Sequence, residues 1–231
     1  GGSSSKSAEF TNGLAGKSFG DFISFPIFQD PSQIFGLLMG NDVSLIEIDL
    51  PELSLEFSYS QFFVIYGPFG IALEIGASIV LDPPAFGYDT LGLRHFFDSG
   101  FRDPLSLFDG LYLAADKAVV ELTASISAAA ELNVVFAKAG VGLRVTFETF
   151  FNLHDPDEDG KVRLYELANN FLNEFRYGSP LLAPLAIFDV HGRLFLELFA
   201  YLEINLLVTT LEFEFPITPP ITLLEFDIPV T

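Results

Sequence analysis

The 231-residue chain contains no cysteine. That excludes disulfides, thiolate metal sites and cysteine nucleophiles. Positive charge is also scarce. Eleven Lys and Arg stand against 31 Asp and Glu, a formal charge of −20. Nothing here could displace counterions from a phosphate backbone, so nucleic acid is excluded as a partner. Charge of either sign is thin at 18% of residues, below the roughly 25% of an average globular chain. No basic start followed by an apolar core marks a signal peptide. The twenty-residue window from Phe62 to Leu81 carries one charge, Glu74. Gly67-Pro68-Phe69-Gly70 splits it with a natural hairpin turn, which argues against a membrane helix.

What the chain does have is apolar mass. Half of it is hydrophobic and 27 residues are Phe, too greasy for a disordered acidic tail. The length suits one domain with a sizeable core. Residues 1–8, GGSSSKSA, have the composition of a flexible linker or tag. Residues 9–231 are taken as one β-rich domain. Prolines at 216, 219, 220 and 229 mark the other end, and both ends read as places where a longer chain was cut.

The dominant period is two. From Val120 to Phe136 the even positions are apolar, among them Leu122, Ile126 and Leu132, and the odd ones include Glu121, Ser125, Ser127 and Glu131. The pattern predicts a strand with one buried face. From Val141 to Leu153 it recurs with the other parity, and Gly140 is placed at the hairpin turn between the two runs. Ile71–Leu81 and Leu194–Val208 are further runs. Ser44–Leu50 and Leu53–Tyr59 are expected to pair, with Pro51 forcing a bulge between them. The fold class is therefore mainly β, with long antiparallel amphipathic strands and one or two short helices. Thr90–Ser99, capped by Asp89 or Thr90, is predicted helical. So is Leu164–Phe175, with Leu164, Leu167, Ala168, Phe171, Leu172 and Phe175 on one face. A transmembrane β-barrel shares the alternation. Against it stand runs longer than about 10 residues, an intervening helical segment and irregularly spaced turns.

One motif carries chemistry. Asp155-Pro-Asp157-Glu-Asp159-Gly160-Lys161-Val162-Arg163-Leu-Tyr-Glu166 fits the twelve-residue EF-hand loop. Asp155, Asp157 and Asp159 fill positions one, three and five. Gly160 permits the sharp turn at six, the Lys161 carbonyl serves seven, and Glu166 at twelve can offer both oxygens to Ca2+. Arg163 at nine is no ligand, so water is expected there. Val162 at eight puts an apolar residue where such loops meet a neighbour or the core. The entering side, Val141 to Leu153, reads as a strand, giving a strand-loop-helix with a single metal loop. His95, His154 and His191 lie apart and are expected to be structural, His191 within a turn. No nucleophile elbow, dinucleotide fingerprint or complete phosphate loop occurs, and no enzyme activity is expected.

The segments Ala85–Thr90, Leu107–Tyr112, Ala130–Asn133 and the Asp155 loop, in that order, resemble stretches of very large secreted bacterial proteins of cyanobacterial and planctomycete type. The resemblance implies an extracellular or cell-surface module. With it goes the expected function, a calcium-stabilised structural or interaction module that associates with itself or with neighbouring modules. The other class held open is a carrier of lipid or another hydrophobic ligand. The Phe content fits a thick sheet core, a hydrophobic cavity or an exposed oily face.

Overall fold

A computed structural model of the chain describes residues 4–13, 16–177, 186–206 and 208–228. Residues 1–3 of the predicted linker, and Pro229 at the other end, lie outside them. The chain opens with strand β1 (Ser4–Asn12), a 3-10 turn at Phe19–Phe22, strand β2 (Ile23–Ser24) and helices α1 (Pro26–Gln29) and α2 (Pro31–Leu38). Strands β3 (Ser44–Ile48), β4 (Leu53–Tyr66), β5 (Phe69–Leu81) and β6 (Phe86–Asp89) follow. Next come helix α3 (Thr90–Asp98), a 3-10 stretch at Pro104–Gly110 and strand β7 (Leu111–Ala114). The long strands β8 (Ala118–Val134) and β9 (Ala137–Leu153) lead into β10 (Lys161–Arg163) and helix α4 (Leu164–Tyr177). Strands β11 (Phe188–Asn205), β12 (Thr210–Pro216) and β13 (Ile221–Ile228) complete the order.

These elements form two antiparallel sheets. The large one runs β1-β4-β5-β8-β9-β11, and the far edge of β11 is shared end to end by β12 and β13. The small one runs β10-β7-β6-β3-β2. The mainly β class and the long strands stand as the period-two pattern predicts, as do the hairpin at Gly67-Pro68 and the helix over Thr90–Asp98 with Asp89 as its cap.

Four expectations change. The segment predicted as linker is extended from Ser4 onward and pairs with β4, because its alternate serines meet those of β4: Ser5 with Ser60 and Ser7 with Ser58, each hydroxyl pair at 2.7 Å. β3 and β4 do not pair with each other. β3 joins the small sheet and β4 the large one, so Pro51 marks a crossing between sheets. Gly140 is not a turn residue. It lies within β9 between Glu131 and Tyr201, where a Cβ would meet the Tyr201 ring at 2.5 Å. Its bare backbone lets the Tyr201 hydroxyl reach across β9 and donate to Glu131. The turn falls two residues past Val134, at Val135–Phe136. Finally, α1 and α2 were not foreseen, although each starts with proline at a first helical position and Asp30 caps α2 through the Ser32 amide.

The larger surprise is which face is buried. On β8 the polar Ser127 and Glu131 are buried, while apolar Ile126 is 56% exposed and Leu132 is also exposed. On β5 the outward row is Phe69, Ile71, Leu73, Ile75, Ile79 and Leu81, all exposed. The strand registers carry the pattern across: Ile75, Ile126, Val145 and Leu196 lie side by side on the apolar face, and Glu74, Ser127, Arg144 and Glu197 on the polar one. The sheet curls around its polar face. Ser5 of β1 and Glu212 and Glu214 of β12, from opposite edges, line one cavity of about 590 Å³. Inside it the charges pair: Arg144 with Glu197 at 3.0 Å and Glu214 at 2.7 Å, and Lys138 with Glu203 at 2.7 Å. Arg193 pairs with Glu148 at 2.7 Å on the same face.

Among the described residues a conventional dry core lies where the large sheet meets the small one. Val119, Leu153 and Val162 are buried there, with Leu113, Leu167 and Phe188 packed against them. Helix α4 departs from its predicted packing. Leu164, Phe171, Leu172 and Phe175 are exposed, and Glu166 and Asn170 turn inward beside Leu167. The cause is the Glu166 carboxylate, which accepts from the Arg163 amide at 2.7 Å and fixes the rotation of the first turn.

Candidate metal centre

The Asp155–Glu166 loop joins the end of β9 in the large sheet to β10 in the small one, as a strand-loop-helix. It wraps on its own carboxylates. Asp155 Oδ2 accepts from the Gly160 amide at 2.7 Å, and Asp159 Oδ1 accepts from the Lys161 amide at 2.8 Å. Gly160 has φ 80°, the left-handed conformation that the sharp turn needs and glycine adopts without strain. The result is convergence: Asp155, Asp157 and Asp159 each offer a carboxylate oxygen, all within 4.8 Å of one another. Asp155 Oδ1 is buried without a hydrogen-bond partner. Burial, with the charges of Asp157 and Asp159 close by, holds the Asp155 carboxyl above its ordinary range. An oxygen-lined pocket of this kind suits a hard cation.

The remaining predicted site residues stand differently. Glu166 is outside the three-aspartate cluster. One of its oxygens is taken by the Arg163 amide, and it bonds the Tyr165 hydroxyl, which burial and this contact push up to about 12. Lys161 follows the turn and sends its ammonium out of the loop, 2.9 Å from Asp89 and over the Tyr112 ring. Val162 at position eight pairs with Leu113 and is 0% exposed, so it meets the core rather than a second loop. Arg163 at position nine also leaves the loop. Nη2 is 3.0 Å from Asp89, and Nη1 donates to the Asp109 carbonyl at 3.1 Å. Burial works against this guanidinium's charge, and its pairing with Asp89 and Asp159 outweighs it, raising its pKa further.

Asp89 was missed as a site residue. It is fully buried, caps α3 through the Leu91 amide and accepts from both Lys161 and Arg163. The metal loop is thus bolted to α3. The one signal in the sequence was two basic residues inside an otherwise acidic loop, which implied a carboxylate elsewhere to receive them. The histidines do not gather. His95 lies 2.8 Å from Asp109, His154 2.9 Å from Asp189 and His191 2.6 Å from Asp227. His191 is not in a turn, as predicted, but within β11, stacked on Phe150. No protein-family model, curated protein or solved structure matches this chain.

Proposed function

We propose that the chain is a calcium-stabilised structural module that works outside the cell or at its surface. The observation that carries this reading is the convergence of Asp155, Asp157 and Asp159 around the buried, unpartnered Asp155 oxygen. Without a cation these carboxylates repel, and one is desolvated. A divalent ion removes both penalties. Because the loop links β9 to β10 and is tied through Lys161 and Arg163 to Asp89, ion binding stiffens the junction between the two sheets. Isolated loops of extracellular modules work at about 10⁻⁴–10⁻³ M calcium, a concentration found outside cells. The carrier reading is the weaker one, since Glu74, Glu131, Arg144 and Glu203 stand among Phe62 and Phe199 in the cavity of the large sheet and would have to be desolvated by an apolar ligand.

The test is thermal unfolding with calcium and with chelator. At a hundredfold excess over the dissociation constant, binding stabilises the fold by about 2.7 kcal/mol. For a chain of this size that moves the melting temperature by about 5–11 °C. Asp155→Ala should melt like the chelated protein and ignore added calcium. A melting curve indifferent to chelator removes the proposal.

A further inference from the structure

Among the described residues the small sheet covers the outward face of the large one at Leu153 and Phe188, while Ile126, Leu143 and the outward row of β5 stay exposed. Along β4, β5, β8, β9 and β11 no outward position is charged, and Tyr59, Gln61, Tyr66 and Thr149 are the face's few polar members; on edge strand β1 the outward Lys6 lies over the Tyr59 ring. The charges of these strands project to the enclosed face, where Arg144, Lys138 and Arg193 find carboxylates. We propose that lipid hydrocarbon solvates this outward face and that the large sheet spans a bilayer around its polar cavity.

Three observations favour lipid over a protein partner. First, the apolar face lies on the outside of the curl and runs from β4 to Leu211 and Phe213 on β12, and Ala8 and Phe10 continue it on β1 beside the outward Lys6. A single folded partner covers one side of such a surface, whereas a bilayer surrounds it. Second, a protein interface of useful size carries about one hydrogen bond per 100–200 Å² and a polar rim. The nearly uniform hydrocarbon here offers almost no groups to make them. Third, the height fits. β5 has 13 residues with apolar side chains outward from end to end. At about 3.3 Å per residue and the 35–45° tilt of barrel strands, this gives an apolar band of roughly 30 Å, close to the hydrocarbon thickness of a bilayer. An unpaired sheet edge is not tolerated in hydrocarbon. Six successive antiparallel pairings leave edge strands β1 and β12 running in the same direction, and both border one cavity. Among the described residues the two edges are not paired with each other, and closing the ring in the bilayer requires one parallel pairing between them.

The chain has no tryptophan, so one introduced indole reports a single place. The whole chain is refolded from urea into phosphatidylcholine vesicles in millimolar calcium. Zwitterionic lipid is used because the protein carries a formal charge of −20. Ile126→Trp and Leu143→Trp point outward, and Ser58→Trp lines the enclosed face beside Ser7. The two outward indoles should emit in the blue and lose most of their fluorescence to lipids brominated in the acyl chain, while Ser58→Trp keeps its own. A separate measurement avoids the indoles: wild type should float with the vesicles, and Leu143→Arg should partition roughly 30- to 1,000-fold less. Equal quenching at all three positions overturns the proposal. So does a chain that stays in the aqueous phase, whether as a monomer or as an oligomer that dissociates on dilution, the latter assigning the face to a second copy.

Discussion

The two sheets obey opposite rules of burial. At the junction the order is conventional: Val43 and Val162 are buried, and buried charge is paired, as Asp89 is with Lys161 and Arg163. Along the large sheet apolar side chains face out and ion pairs face in. The large sheet is built from strands of alternating polarity, while strands of the small sheet such as Leu111–Ala114 do not alternate. The difference shows that alternation records only that the two sides of a sheet meet different solvents. It does not say which side is the inside of the molecule.

The comparison can be broken hardest at Asp89. Asp89→Ala leaves two cations, one of them almost fully buried, without their acceptor and removes the cap of α3. Breaking a buried pair from one side costs about 3–5 kcal/mol. Urea unfolding should show the junction losing much of its stability, and an unchanged midpoint would mean that water reaches these charges. The contrast sharpens with a matched pair of truncations. Val162→Ala empties part of the dry core and should cost about 2–3 kcal/mol. Ile126→Ala, at a side chain 56% exposed, should stay within about 0.5 kcal/mol in the same aqueous titration. Comparable losses at both would show that the outward face is covered by protein in solution.

The smallest effect concerns protons. In the calcium-free fold the Asp155 carboxyl titrates above its ordinary 3.8, chiefly because of burial. The folded state then binds its proton more tightly than the unfolded chain, so this group's contribution falls as pH rises from 3.8 through the raised value. Under the proposed calcium binding the trend reverses, because a divalent ion takes the ionised form, and the stabilisation should grow over the same window. Melting temperatures of wild type and Asp155→Asn across that window, with and without calcium, isolate the difference. Parallel curves for the two proteins would remove the assigned cause.

Much of the metal loop was legible in the sequence because its geometry is local. Alternate aspartates followed by Gly160 bring their own oxygens together through backbone hydrogen bonds within six residues. The destinations of Lys161 and Arg163 were not legible, since Asp89 lies more than seventy residues away. Glu166 was read as a ligand from its spacing. The fold places one of its oxygens on the Arg163 amide, a contact equally local and indistinguishable by spacing from coordination.

By itself the sequence determined the mainly β class, the alternating runs that became β5, β8, β9 and β11, the Gly67-Pro68 hairpin, the helices near 90–99 and 164–175 and the aspartate cluster. Each depends on residues near one another along the chain. Tertiary structure alone decided that β3 and β4 part into different sheets, that Gly140 makes room for Tyr201 and that the apolar faces of β5 and β8 turn outward. The physical reason is the same in each case. A side chain's free energy depends on what finally surrounds it, and curling the large sheet around its ion pairs put the charges inside and left the hydrocarbon to the outer surface.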